Sequence, residues 1–151
     1  MSLVFDVLDR QVIAGLADDI AIADERGTVS YAQLLHESAC IGAGLHHMGV
    51  EPGTPVVVDV APGRDLVMSV LACARIGAVP SDAADVRLVG TPPVLHTLDT
   101  EVTWDVLDKA GRTEPAPAPE TDPEGYEAHL RATYPDIFTT LESGQTITTT
   151  T

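Results

Sequence analysis

The run Val56-Val57-Val58-Asp59-Val60, set between the turn-forming pairs Pro52-Gly53 and Pro62-Gly63, constrains this chain most. So continuous a series of β-branched residues predicts a strand, and runs of this kind belong to parallel sheets covered on both faces. Upstream, Leu34, Leu35, Ile41, Leu45 and Met48 recur on one side of a helix that ends at Gly49, a residue suited to the left-handed terminating position. Downstream, Leu66, Val67, Val70, Leu71 and Ala74 mark a second helix, closed by Gly77. Helix, strand, helix, strand is the pattern of an α/β fold: a small layered domain with helices packed on a mostly parallel sheet.

The flanking segments are read in the same way. Leu3, Val4, Leu8, Val12 and Leu16 predict an amphipathic helix over residues 3–16. Ile20 to Ala23 and Thr28-Val29 predict a small hairpin turning through Asp24-Glu25-Arg26-Gly27. Ser30 and Gln33 stand at capping-box spacing, and the small residues Ala39, Gly42, Ala43 and Gly44 permit close approach of a neighbouring element. Beyond Pro80, strands are expected at Val94-Leu95-His96 and Glu101-Val102, with Thr103 capping a short helix that holds Trp104, Val106 and Leu107. Residues 114–123, Glu-Pro-Ala-Pro-Ala-Pro-Glu-Thr-Asp-Pro, form a stiff extended linker by composition. It divides an α/β domain (1–113) from an extension (124–151) with a helix over Glu124 to Thr133 and a β-hairpin. The hairpin strands are Ile137 to Leu141 and Thr146 to Thr148, with the closing threonines as an edge strand or frayed tail.

Charge narrows the partners. With 23 acidic and 8 basic side chains the net charge is −15, which repels phosphate backbones and anionic headgroups, so nucleic-acid and membrane-surface binding are not expected. No apolar run reaches the ~20 residues of a membrane span, and Asp6 and Asp9 interrupt any signal-peptide pattern. Cys40 and Cys73, without CxxC spacing, are expected to be buried reduced thiols of a cytoplasmic protein.

The order of pieces from Ala23 to Pro80 carries a resemblance. Asp-Glu-Arg-Gly-Thr-Val-Ser-Tyr-Ala-Gln-Leu, the helix running into Gly49-Val50, the Pro52-Gly53 turn and Ile76-Gly77-Ala78-Val79-Pro80 together resemble the opening of the adenylate-forming enzymes. These are the acyl-CoA synthetases, aryl-CoA ligases and peptide-synthetase adenylation domains. The likeness spans roughly residues 4–88; within it, after Pro80, Ser81-Asp82-Ala83-Ala84 stands in place of the family's Leu-Asp-Pro-like continuation. The resemblance implies an N-terminal subdomain of such an enzyme. It also implies a later phosphate loop rich in Ser, Thr and Gly that ends in Pro-Lys-Gly. The nearest segment here is Glu142-Ser143-Gly144-Gln145-Thr146, with no lysine after it; Arg131 is the last basic residue in the chain. A turn of negative net charge does not neutralise a triphosphate. No catalytic, cofactor-binding or metal-binding residue is therefore carried over, no cofactor is implied, and the chain by itself is not expected to adenylate.

Other chemistry-bearing groups have simpler readings. His36, Cys40 and His47 fall on one helical face, but a metal site needs more donors; His46 and His47 suit the negative end of a helix. Pro62-Gly63-Arg64 at a strand-to-helix junction could present N–H groups to an anion, which neighbouring Asp65 opposes. Asp18-Asp19 and Asp24-Glu25 read as solvated turns, and Ser30 as a cap rather than a nucleophile.

A buried strand such as Val56 to Val60 needs neighbours, and leaving Val or Leu side chains exposed costs about 1.5–3 kcal/mol each. A homodimer or a protein partner is therefore expected, with a small acyl ligand as a further option. Two functions remain open: a non-catalytic interaction or accessory protein descended from the ligase opening, or the small subunit of a split acyl-CoA synthetase that binds acyl substrate or ATP only with its partner.

Overall fold

The computed structural model describes residues 1–148. The N-terminal helix runs through Phe5–Asp9 and Val12–Leu16 with π-type hydrogen bonding, the Arg10 N–H reaching the Phe5 carbonyl. Leu3, Val4, Val7 and Leu8 are buried on its inner side, and Gly15, at φ 102°, breaks it. β1 (Ile20–Asp24) and β2 (Gly27–Ser30) form the expected hairpin, with Gly27 at positive φ and the Arg26 N–H donating to Asp24 Oδ1 at 2.9 Å.

α1 (Tyr31–His47) begins with the anticipated capping box: the Gln33 N–H donates to Ser30 Oγ (3.1 Å) and the Ser30 N–H to Gln33 Oε1 (2.9 Å). β3 (Pro55–Asp59) leads to α2 (Arg64–Ile76), which stops at Gly77 in the left-handed conformation. β4 (Val79–Pro80), β5 (Val86–Val89), β6 (Val94–His96) and β7 (Glu101–Thr103) follow, then α3 (Trp104–Gly111). After the extended residues 114–123 come α4 (Tyr126–Thr133), α5 (Pro135–Glu142) and β8 (Ile147–Thr148).

Two sheets result. A five-stranded sheet has the order β4-β3-β5-β6-β7, and a three-stranded one the order β2-β1-β8. The larger sheet corrects the expectation of a mostly parallel one: β3 is parallel to β4 and β5, but β6 and β7 are antiparallel. The chain between β5 and β6 is only residues 90–93, whereas a parallel return needs about a dozen residues or more. An antiparallel turn is all that so short a connection allows.

The expected C-terminal hairpin is also overturned. Residues 135–142 are helical, and Ile147–Thr148 pairs in parallel with β1, not with its predecessor. Pro135 occupies the first turn, where its missing N–H costs nothing, and Ile137, Phe138 and Leu141 turn one face to the core while Thr139 stays exposed. Burial of that face outweighs the β preference of the threonines. The remaining threonines of the tail, 149–151, lie outside the described residues.

α2 joins two cores. Val67, Val70 and Leu71 pack with the N-terminal helix, β1, α4 and α5. Ala72 and Cys73 pack with α1, α3 and the inner face of the five-stranded sheet (Val56, Leu88, Leu95, Val102). That sheet is buried on one face only, so full coverage of the Val56 run does not hold. The alternate side chains form the cross-strand row Val57, Arg87, His96, Glu101 and the row Asp59, Val89, Val94, Thr103, all half-buried or exposed. The strand's in-sheet neighbours come from this chain itself.

Candidate functional site

The segment that sequence reasoning singled out as the nearest thing to a phosphate loop is used in closing α5. The Ser143 N–H donates to the Thr139 carbonyl (3.2 Å), Gly144 to Leu141 (3.0 Å) and Gln145 to Thr140 (3.1 Å). Gly144 takes φ 72°, as a helix-ending glycine does. The Gln11 side chain donates to the Leu141 and Glu142 carbonyls (2.9 Å each), and Glu142 is ion-paired with Arg131. Thr146 Oγ1 donates to the Ile20 carbonyl at 2.6 Å. An anion cradle requires free N–H groups converging on one point, and these three are spent on helix carbonyls.

Gly63 precedes α2 as its N-cap, but the charges beside it are committed to carboxylates. Arg64 donates to Asp24 through Nη2 (2.8 Å) and Nε (3.2 Å), and Arg26 Nη1 reaches Asp65 Oδ1 at 3.2 Å. Burial pushes the Asp24 carboxyl up; the hydrogen bonds from Arg64 and the Arg26 N–H, with both guanidinium charges, outweigh it and hold the group below its ordinary value. Asp18 and Asp19 are exposed. Ser30 caps α1.

His36 and Cys40 do meet, with Nε2 and Sγ 3.7 Å apart, while His46 lies against the Val50 carbonyl (3.3 Å) and Glu51 (3.8 Å). Among the described residues no three His, Cys, Asp or Glu side chains gather to hold a metal ion. Cys40 and Cys73 are both buried and unbridged. Burial pushes the Cys73 thiol up to about 12 and raises Cys40 as well, aided there by Asp108. Both shifts disfavour the thiolate, which is the nucleophilic form.

Two clefts were not foreseen from the sequence. The larger, about 680 Å³, lies between residues 114–123 and the C-terminal ends of α1 and α2. Its walls include Ala43, Ile76, Pro115, Pro117 and Pro123, with His47 among the polar residues lining it. The Pro-rich segment is therefore a wall and not a free tether. The Ala116 N–H donates to the Ala39 carbonyl (3.0 Å), Arg75 Nε to the Ala116 carbonyl (2.9 Å), and the Leu3 N–H to Asp122 Oδ2 (2.7 Å). Arg75 is itself buried and bidentate on Asp9 (2.7 and 3.1 Å). Such a cleft can enclose an apolar body.

The smaller cleft, about 330 Å³, is charged. α1 contributes Glu37, α2 contributes Asp65 and Met68, and α3 contributes Trp104, Asp105 and Asp108, with Arg26 and Arg64 at the hairpin side. No local sequence signal joins these residues, because only the packing of three helices brings them together.

The AMP-binding enzyme family model matches residues 8–84, from the N-terminal helix through β4. Mouse acyl-CoA synthetase short-chain family member 3, mitochondrial, is 31% identical over 87 residues, 54% of this chain and 13% of that protein. Acetyl-coenzyme A synthetase of Cupriavidus metallidurans is 38% identical over 82 residues, 51% of this chain and 12% of that one. The chain thus spans about an eighth of the length of these relatives. Among solved structures, the Klebsiella oxytoca NpsA N-terminal subdomain in complex with 3-hydroxybenzoyl-AMSN covers 79% of this chain and 35% of its own, with TM-score 0.60 at 17% identity, a likeness of fold. The matched segment carries the capping box, the Val56 strand and the Gly77 terminator in one order, and by it this chain belongs to the AMP-binding enzyme family.

Proposed function

We propose that this chain is a scaffold module of the acyl-adenylating ligases that contributes no catalytic residue of its own and acts as an accessory protein bound to a protein partner in the cytoplasm. The observation that carries this reading is the fate of residues 142–146: the Ser143, Gly144 and Gln145 N–H groups close α5 and the Glu142 carboxylate is paired with Arg131, so the segment offers ATP neither a cradle nor a cation. The half-clad five-stranded sheet supports a partner, because its outer face mixes Val57, Val89 and Val94 with the ion pair Arg87–Asp59 (3.9 Å) and the His96–Glu101 contact (3.4 Å). A face that interleaves valines with charged side chains in this way has the mixed composition of a non-obligate interface.

ATP–pyrophosphate exchange with acetate and longer acids tests the reading. The chain alone is expected to give none, and exchange by the chain alone would overturn it. Exchange that appears only on mixing with a ligase lacking this opening segment would place the chain as the small subunit of a split enzyme instead.

A further inference from the structure

Asp65 lines the charged cleft at 7% exposure, and its Oδ2 has no hydrogen-bond partner. A buried carboxylate oxygen without a donor is costly, more so than a neutral acceptor, and demands an explanation. Its other oxygen holds only Arg26, through a single 3.2 Å contact from a side chain 54% exposed at the tip of the β1–β2 turn. Arg64, the nearer guanidinium in sequence, is turned away onto Asp24. Glu37, on the facing helix, has no ion-pair partner among the described residues, whereas Asp105 and Asp108 are paired along the surface of α3 with Lys109 and Arg112. Trp104, the only tryptophan in the chain, lines the cleft with Met68. Carboxylates with acceptor capacity to spare, an indole and an apolar side chain fit a flat or compact organic cation with a short alkyl stem.

We propose that this cleft binds a guanidinium or alkylammonium group, which displaces Arg26 from Asp65 and is held by Asp65 and Glu37 with its stem against Trp104. Arg26 is the internal stand-in for that group. A metal ion is not the guest, because no three of these carboxylates converge on a point. The net charge of −15 draws such a cation in, and salt weakens its binding.

The test is titration of Trp104 fluorescence with n-propylguanidinium, n-butylammonium and the neutral isostere n-propylurea. Saturable change with a cation, free or carried on the arginine peptide below, and none with the urea is expected; equal response to the urea, or no saturation with either the free cations or the peptide, overturns the proposal. Asp65→Asn, checked for folding by its circular dichroism melt, is expected to weaken binding about tenfold or more. Glu37→Gln, at an exposed site where folding is not at stake, is expected to weaken it in the same direction, and unchanged affinity in Glu37→Gln overturns its assigned role. Arg26→Ala is expected to tighten binding, and no change or a loss on its removal overturns the displacement. A capped Gly-Gly-Arg-Gly-Gly peptide separates the sources. Affinity confined to the peptide identifies a partner's basic side chain as the guest, and equal affinity for the free cations identifies a small-molecule amine.

Discussion

Asp24 and Asp122 are both partly enclosed carboxylates, yet they titrate in opposite directions. At Asp24, burial is outweighed by Arg64 and Arg26, so its folded pKa lies below the ordinary 3.8. The folded state then binds fewer protons than the unfolded one. Its contribution to stability is complete above 3.8 and lost as pH falls through the folded value. At Asp122, burial dominates the single bond from the Leu3 N–H, with Glu127 and Asp6 adding repulsion, and the pKa is raised. Its contribution runs the other way, present at low pH and lost as pH rises through the folded value. Asp24→Asn is therefore expected to cost about 1.5 kcal/mol or more at pH 7. The gap from the parent should close as pH falls below 3.8. Asp122→Asn, which still offers Leu3 an acceptor, is expected to gain on the parent as pH rises past the same region. Urea unfolding at a series of pH values reads both slopes. A pH-independent offset for either variant would refute its assignment.

Where α1 crosses α3 the two backbones touch through glycines. A Cβ on Gly111 would sit 1.8 Å from the Cys40 carbonyl oxygen, and one on Gly44 would sit 2.1 Å from that of Leu107. Neither obstacle is a side chain that can rotate away, so the helices must separate and open the second core. Gly111→Ala is expected to lose about 3 kcal/mol, seen as a lower urea midpoint at unchanged slope, whereas Gly42→Ala, with 3.1 Å to the Ala72 carbonyl, should lose less. Equal losses at the two sites would mean that the crossing yields. The need for small residues on α1 was readable from Ala39, Gly42, Ala43 and Gly44; the identity of the facing helix was not, because nothing local in Gly111 names its neighbour. The same division runs through the whole chain. Elements framed by caps and terminators, such as Ser30 with Gln33 or Gly77, were readable because those signals act within a few residues. Within the helix Pro135–Glu142, residues 137–141 read as a strand in the sequence because its threonines favour strands, and only the core shows that Ile137, Phe138 and Leu141 must share a side. Both clefts are invisible in the sequence for that reason too. Pro115 and Pro123 show stiffness in a sequence but not what they lie against, and Asp65 shows its missing donor only once buried.

Taken whole, the molecule raises the question of whether residues after 123 are an appendage or part of one cooperative unit. The sequence places a linker before them. The contacts argue for one unit: Tyr126, Leu130, Ile137, Phe138 and Leu141 share a hydrophobic cluster with Leu3, Leu8, Ile22 and Leu71. Polar ties reinforce it. Tyr126 Oη donates to the Ala78 carbonyl (2.6 Å), a His129 ring nitrogen lies 2.7 Å from that of Pro80, and Tyr31 Oη donates to that of Gln145 (2.5 Å). β8 then adds a third strand to the N-terminal hairpin. Phe138, fully buried and far from Trp104 in sequence, decides between the two pictures. Phe138→Ala removes a side chain of the kind whose loss costs about 3–5 kcal/mol, much of a typical domain's stability. In a cooperative molecule that loss shifts every probe together, including Trp104, which packs against both cores. An appendage would unfold alone and leave the Trp104 transition where it was. The expected result is a single transition by circular dichroism and Trp104 fluorescence in both proteins, displaced to lower temperature in the variant. Two separated transitions would make the Pro-rich segment a true domain boundary.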